Sequence, residues 1–129
     1  MEPRALPGSK IIVFAPTTDA VRARAFYEGV LGLRLTNADS FALAFDVGGT
    51  TLRVTTVGKL IPAEYTILGW EVDDIAKSVG ELRARGVAFL RIPGLEQDDN
   101  SVWTSPDGNM VAWFRDPDGN ILSLTEFVR

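Results

Sequence analysis

One pattern occurs twice in the 129 residues, and this repetition constrains the fold more than any other feature of the chain. The first copy opens with "KIIVFAP" (residues 10–16), a β-rich run bounded by Gly8 and Pro16 that reads as a buried strand. Thr18 and Asp19 offer N-cap oxygens. "AVRARAFYEGVL" then places Ala23, Phe26, Tyr27 and Val30 on one helical face, with Arg24 and Glu28 paired at i,i+4 on the wet side. Gly32 ends that helix. "LRLTNADSFALAFDVGGTTLRVTTVG" follows as three strands, broken at "NADS" and at Gly48–Gly49.

The pattern then restarts. "YTILGWEV" (65–72) reads as a strand and Asp73–Asp74 as a cap. "IAKSVGELRAR" reads as a helix burying Ile75, Val79 and Leu82, with Lys77 and Glu81 paired outside and Gly86 as its stop. "VAFLRI", "SVWTS", "NMVAWFR" and "NILSLTEFV" supply further strands. Asp19 stands thirteen residues before Gly32, and Asp73 thirteen before Gly86. "GTTLRVTT" (49–56) closes the first unit as "GNILSLTE" (119–126) closes the second. The expectation is a single domain, 1–129, of class α+β, made of a duplicated strand–helix–three-strand module. Module one covers about 9–57, "GKLIPAE" (58–64) connects, and module two covers about 65–127.

"SPDGNMVAWFRDPDGN" (105–120) contains PDGN twice. Both copies read as strand-joining turns, in which proline presets φ, glycine takes φ > 0 and aspartate bonds its own backbone. Geometry accounts for them, and neither Asp116 nor Asp118 is required for catalysis.

Composition narrows the chemistry. The chain has no cysteine and no histidine, which excludes disulfides, thiolate nucleophiles, sulfur-ligated metals, the commonest general base and the Ser-His-Asp arrangement. Any metal would need oxygen ligands, which favours hard ions such as magnesium or manganese. A net charge of −4 without a basic run argues against nucleic acid. No apolar stretch approaches the roughly 20 residues of a membrane span, and "MEPRALPGSK" carries no leader-like apolar core. A soluble cytoplasmic protein is expected. "VGGTT" lacks the helix and lysine of a phosphate loop.

Three stretches carry a family resemblance. "DAVRARAFYEGVLGLRL" resembles the first helix of the vicinal oxygen chelate (VOC) superfamily of glyoxalases, bleomycin-resistance proteins and extradiol dioxygenases. "EVDDIAKSVGELRARGVAFL" is similar to its second helix, and "FRDPDGNILSL" to its closing hairpin. The resemblance runs from about residue 9 to 127. It implies two βαβββ modules whose curved mixed sheets form an open cup with the helices outside, commonly in a homodimer.

In catalytic members, four side chains inside such a cup hold one divalent metal. The resemblance carries these positions onto Ile12, Arg53, Ile67 and Ser123. Isoleucine has no donor atom, and a guanidinium repels a cation. A shift of one residue along any strand brings no carboxylate. The expectation is therefore no metal site and no cofactor. Strand alternation proposes a lining of Ile12, Phe14, Arg53, Thr55, Tyr65, Ile67, Trp113 and Ser123. Ile11, Val13 and Trp70 are expected to face the helices. Trp113 and Trp103 serve either ligand stacking or packing and dimer contact. Arg53 either pairs with Glu71 or Glu126 at the rim, reaches solvent, or holds an anionic or carbonyl oxygen of a ligand.

Two functions remain open at this point. One is a metal-independent protein that sequesters a small aromatic or anionic molecule, as bleomycin-resistance proteins sequester a drug. The other is an enzyme, a lyase, isomerase or dioxygenase, working with no metal or with unconventional oxygen ligands. A third class, a curved sheet binding a macromolecule, has no sequence feature in its favour.

Overall fold

Asp19 and Asp74 are the N-caps of the two helices: each has extended backbone, and its carboxylate accepts the N–H of the third following residue, at 3.1 Å in both cases. The computed structural model describes residues 5–129. Module one comprises β1 (Ile12–Thr17), α1 (Ala20–Arg24), a π-helical continuation (Ala25–Val30), β2 (Arg34–Ala38), β3 (Ala42–Val47) and β4 (Thr50–Thr56). Module two comprises β5 (Thr66–Glu71), α2 (Ile75–Ala84), β6 (Trp103–Thr104), β7 (Met110–Arg115) and β8 (Ile121–Glu126). The sheets have the same topology, β1-β4-β3-β2 and β5-β8-β7-β6, with the first pair of each parallel and the rest antiparallel. These are two βαβββ modules.

The helices differ by one residue. Because the second cap is Asp74 and not Asp73, the interval from cap to stop glycine is one residue longer in module one. The surplus is absorbed as a wide turn, in which the N–H of Leu31 reaches back five residues to the Phe26 carbonyl (2.9 Å). Gly32 and Gly86 then terminate the helices at φ +74° and +93°, a conformation that a side chain disfavours.

Both modules share one core. Ala15, Tyr27, Phe45 and Val54 from the first join Ile75, Val79, Phe114 and Leu122 from the second. Phe26 packs on Phe114 across the module boundary, ring centroids 6.4 Å apart. The second PDGN turn ties the same boundary. The Asp116 carboxylate accepts Asp118 N and Asn120 N within its turn, but also the Tyr27 hydroxyl at 2.6 Å. Asp118 accepts from the Thr17 and Thr18 hydroxyls, Thr18 N and Arg22. Asn120 Nδ2 donates to the Pro16 carbonyl (2.9 Å). So this copy of PDGN does more than turn the chain, whereas Asp107 of the first copy stays exposed.

Three local expectations fail. "VAFLRI" is not a strand: Phe89 makes one isolated bridge to Phe114, and the Gln97 side chain takes the backbone groups of Leu90 and Ile92 that a ladder would have used. Lys77 and Glu81 form no ion pair among the described residues, whereas Arg24–Glu28 does, at 3.0 Å. Ile11 precedes β1 and is exposed instead of facing a helix.

Candidate functional site

Alternation along the strands sends Ala15, Leu52, Val54 and Phe45 into the core, and hence Phe14, Arg53, Thr55 and Ala44 to the opposite face of the first sheet. Phe14, Arg53 and Ala44 are direct cross-strand neighbours and form one row. The corresponding row of the second sheet is Gly69, Ser123 and Trp113. Ile12 lies beside Thr51, one step along. Ile67 falls in the register shift between Thr66 and Leu68, where β5 bulges against β8. Tyr65 lies just before β5 and is exposed.

The predicted lining residues thus fall into two groups on two sheets that form no ladder with each other among the described residues. The first face is open: Phe14 is 58% exposed and Ile12 49%. The second is more covered, with Ser123 buried between its row partners and the Trp103 and Trp113 rings 6.1 Å apart on the same side. Val13 and Trp70 pack on the helix side. Two clefts lie elsewhere, between the end of the first helix and the end of α2.

Arg53 is half-buried and makes no hydrogen bond or ion pair among the described residues. Of the alternatives open from sequence, pairing with Glu71 or Glu126 is not made among the described residues. Glu126 instead accepts the N–H of Ile75 at the start of α2 (2.9 Å), and Glu71 is exposed. The carboxylate whose field Arg53 does reach is Asp39, in the turn between β2 and β3. The Phe41 and Ala42 N–H groups hold that carboxyl below the usual range, with a smaller contribution from the Arg53 charge. Beside Arg53, the Thr55 hydroxyl is buried without a hydrogen-bond partner. Its row neighbours are Pro16, which has no N–H, and Ala42.

The metal of the family's catalytic members does not fit this donor set. Ile12 and Ile67 have no donor atom, Arg53 brings a positive charge, and Ser123 is a single neutral hydroxyl. Among the described residues no three carboxylates gather as a metal-holding group.

Sequence reasoning missed two features of this region. Gly69 opens the space over Ser123, since a Cβ there would lie 2.6 Å from the Ser123 Oγ. The orphaned Thr55 hydroxyl depends on which residues sit across β4, and a single strand carries no sign of its neighbours.

The fold and these faces define a duplicated βαβββ protein, and comparison gives the class. The family model described as the Glyoxalase/Bleomycin resistance protein/Dioxygenase superfamily matches residues 11–124, and the chain belongs to that superfamily. It is similar in structure to a glyoxalase/bleomycin resistance protein/dioxygenase from Nocardioides, with TM-score 0.73 and 17% identity over 100% of this chain and 87% of that one. A protein of the same description from Alicyclobacillus acidocaldarius gives 0.72 and 17%, covering 98% and 96%. A lactoylglutathione lyase from Agrobacterium tumefaciens gives 0.67 and 19%, covering 96% and 95%. At these identities the likeness shows the fold alone. No curated protein matches the chain. Among the described residues no helix is long and apolar enough to cross a membrane.

Proposed function

We propose that this protein is a metal-independent member of the superfamily that binds a small aromatic or anionic molecule, as a cytoplasmic homodimer. One observation carries the reading: Arg53 is half-buried beside Phe14, and its guanidinium has no carboxylate or other acceptor in contact among the described residues. A partly desolvated cation in an apolar setting is stabilised by an oxygen anion, and a ligand is the acceptor that the chain itself lacks.

The dimer completes the site. Phe14 is bulky where the second module has Gly69, and Trp113 is bulky where the first has Ala44. The first face of one copy therefore complements the second face of another in size. Pairing them would cover the exposed Ile12 and Phe14 and bring Ile12, Phe14, Arg53 and Thr55 together with Tyr65, Ile67, Trp113 and Ser123.

The test is thermal unfolding with 1-naphthoate, run with and without EDTA, and separately with magnesium or manganese. At a hundredfold excess over Kd the ligand adds about 2.7 kcal/mol of stability. The expected result is a saturable rise with naphthoate that EDTA leaves unchanged and that Arg53→Ala loses. A rise with metal alone, abolished by EDTA, would overturn metal independence and favour a lyase, isomerase or dioxygenase. Naphthoate binding that survives Arg53→Ala would remove the cation from the site.

A further inference from the structure

On the helix side of the molecule, away from the Arg53 face, a cleft of about 340 Å³ opens between the π-helical segment and the residues after α2. Its floor is apolar, built from Phe26, Val30, Val87 and Leu90, and two arginines, Arg85 and Arg115, line it as well. The volume is at the small end of the range for ligand sites.

The state of the two guanidiniums is the informative feature. Each is anchored through a single Nη1, which donates to a backbone carbonyl at 2.9 Å: Arg85 to Val30, Arg115 to Gly119. Neither has a carboxylate within 4 Å among the described residues, a state they share with Arg53, Arg83 and Arg91, but these two line one cleft. Anchoring by one nitrogen fixes the planar fork and leaves its other N–H groups free. The nearby carboxylate is Asp116, and its oxygens are already occupied by Tyr27, Asn120 and the turn backbone. Both arginines are exposed to solvent, and two guanidiniums beside one apolar floor offer an anion's head two donors while its tail is covered.

The wall of the cleft has its own irregularity. The surplus residue of the first helix is absorbed between Ala25 and Val30, the stretch that supplies Phe26, Val30 and the carbonyl holding Arg85. Wide turns of this kind recur at functional sites. The matching helix of module two has no such turn.

From this geometry we infer that the cleft between the two helices binds an amphipathic carboxylate, its head held between Arg85 and Arg115 and its short apolar tail on Phe26, Val87 and Leu90. This goes beyond the proposed Arg53 site and does not depend on it.

The probe is octanoate, titrated into the labelled full chain and followed through the backbone amide signals, with octan-1-ol as its uncharged counterpart. The expected result is saturable shifts at Gly86, Val87, Ala88 and Phe26, with octan-1-ol binding at least about tenfold more weakly. Arg115→Gln should weaken octanoate by about tenfold to a hundredfold, the range for a hydrogen bond to a charged group. Arg115→Lys should restore part of the affinity, and Arg85→Gln should act like Arg115→Gln. Because Arg85 also bridges the two helices, Arg115→Gln alone decides if Arg85→Gln fails to fold.

Arg53→Gln should leave these shifts intact, while neither cleft variant should affect naphthoate at Arg53, so the two sites can fail separately. The inference is overturned by equal affinity for octanoate and octan-1-ol, by unchanged affinity in Arg115→Gln, by absence of saturable shifts, or by shifts confined to Phe14, Arg53 and Ser123. Shifts that follow self-association instead of octanoate concentration overturn it too, and identify the cleft as a contact between copies.

Discussion

Replacing Tyr27 by phenylalanine removes one oxygen atom from the seam between the modules, and the structure fixes what that atom does. The Tyr27 side chain is wholly buried, and its hydroxyl donates to Asp116 Oδ2 at 2.6 Å. Its ring packs edge-on to Phe26 at 5.2 Å and against Phe45 at 6.1 Å, contacts that phenylalanine keeps. The loss is therefore one hydrogen bond to a charged acceptor, about 1.5–3 kcal/mol. Asp116 retains donors from Asp118, Asn120 N and Asn120 Nδ2, which places the expected loss in the lower half of that range. For a domain of this size each kcal/mol lowers Tm by roughly 3–4 °C, so Tyr27→Phe should melt about 5–8 °C below the parent.

Two controls isolate the cause. In a double-mutant cycle with Asp116→Asn, the two losses should fall short of additive by about 1 kcal/mol or more. Burial, reinforced by the Asp116 charge and hydrogen bond, pushes the Tyr27 phenol far above its ordinary value. The folded chain therefore keeps the neutral donor throughout neutral pH. Above about pH 10 the unfolded chain can ionise this phenol while the folded chain resists, so stability falls with rising pH by a contribution that Tyr27→Phe lacks. A Tm within about 1 °C of the parent, or additive losses in the cycle, would show that the turn and the first helix merely touch.

Two further outcomes test the same turn. Burial works to raise the Asp118 carboxyl, but hydrogen bonds from Thr17 and Thr18 and the charge of Arg22 outweigh it and hold the group below its ordinary 3.8. Its stabilisation is thus fully present above about pH 4 and is lost as pH falls below that value. Asp118→Asn should lower Tm at neutral pH and flatten the acid limb of Tm against pH; an unchanged acid slope would rule out this contribution. Gly119 holds φ +88°, and a Cβ there would stand 3.2 Å from Pro62 Cγ in the connector. Gly119→Ala should cost about 1–2 kcal/mol, read as a Tm loss of several degrees, while Gly58→Ala, with open space around it, serves as the unstrained control.

Much of this architecture is written in local sequence. Caps and stops depend on short-range chemistry, so Asp19, Asp74, Gly32 and Gly86 mark the helices. Alternation puts Phe14, Arg53, Trp113 and Ser123 on the face opposite Val13, Val54, Phe114 and Leu122. Features that depend on partners far along the chain are not legible in this way. "VAFLRI" has strand composition, but the Gln97 amide satisfies its backbone first. Asp116 and Asp118 look like ordinary turn residues because Tyr27, Thr17 and Thr18 lie about ninety to a hundred positions away. The pattern leaves Arg53 open to pairing with Glu71 or Glu126, to solvent or to a ligand, and does not show that Glu126 is taken up by the N–H of Ile75.

The duplication also explains why the candidate site is asymmetric. Two copies of one module present equivalent rows, and in an exact repeat those rows would carry the same bulk at the same places. Here the bulk is reversed: Phe14 against Gly69 on the first strands, Ala44 against Trp113 on the third, with Arg53 against Ser123 between them. Like faces would set Phe14 against Phe14 and leave a gap at Ala44, whereas unlike faces set each large side chain over a small one. Charge follows the same logic, since unlike pairing places the single guanidinium opposite a neutral hydroxyl and like pairing would oppose two guanidiniums. In the proposed dimer, this reciprocal divergence would let each site take one row from each copy. In that arrangement Ala44→Trp, which fills the space expected for the other copy's Trp113, should break the dimer in sedimentation. Retention of the dimer by that variant would mean that these faces do not meet.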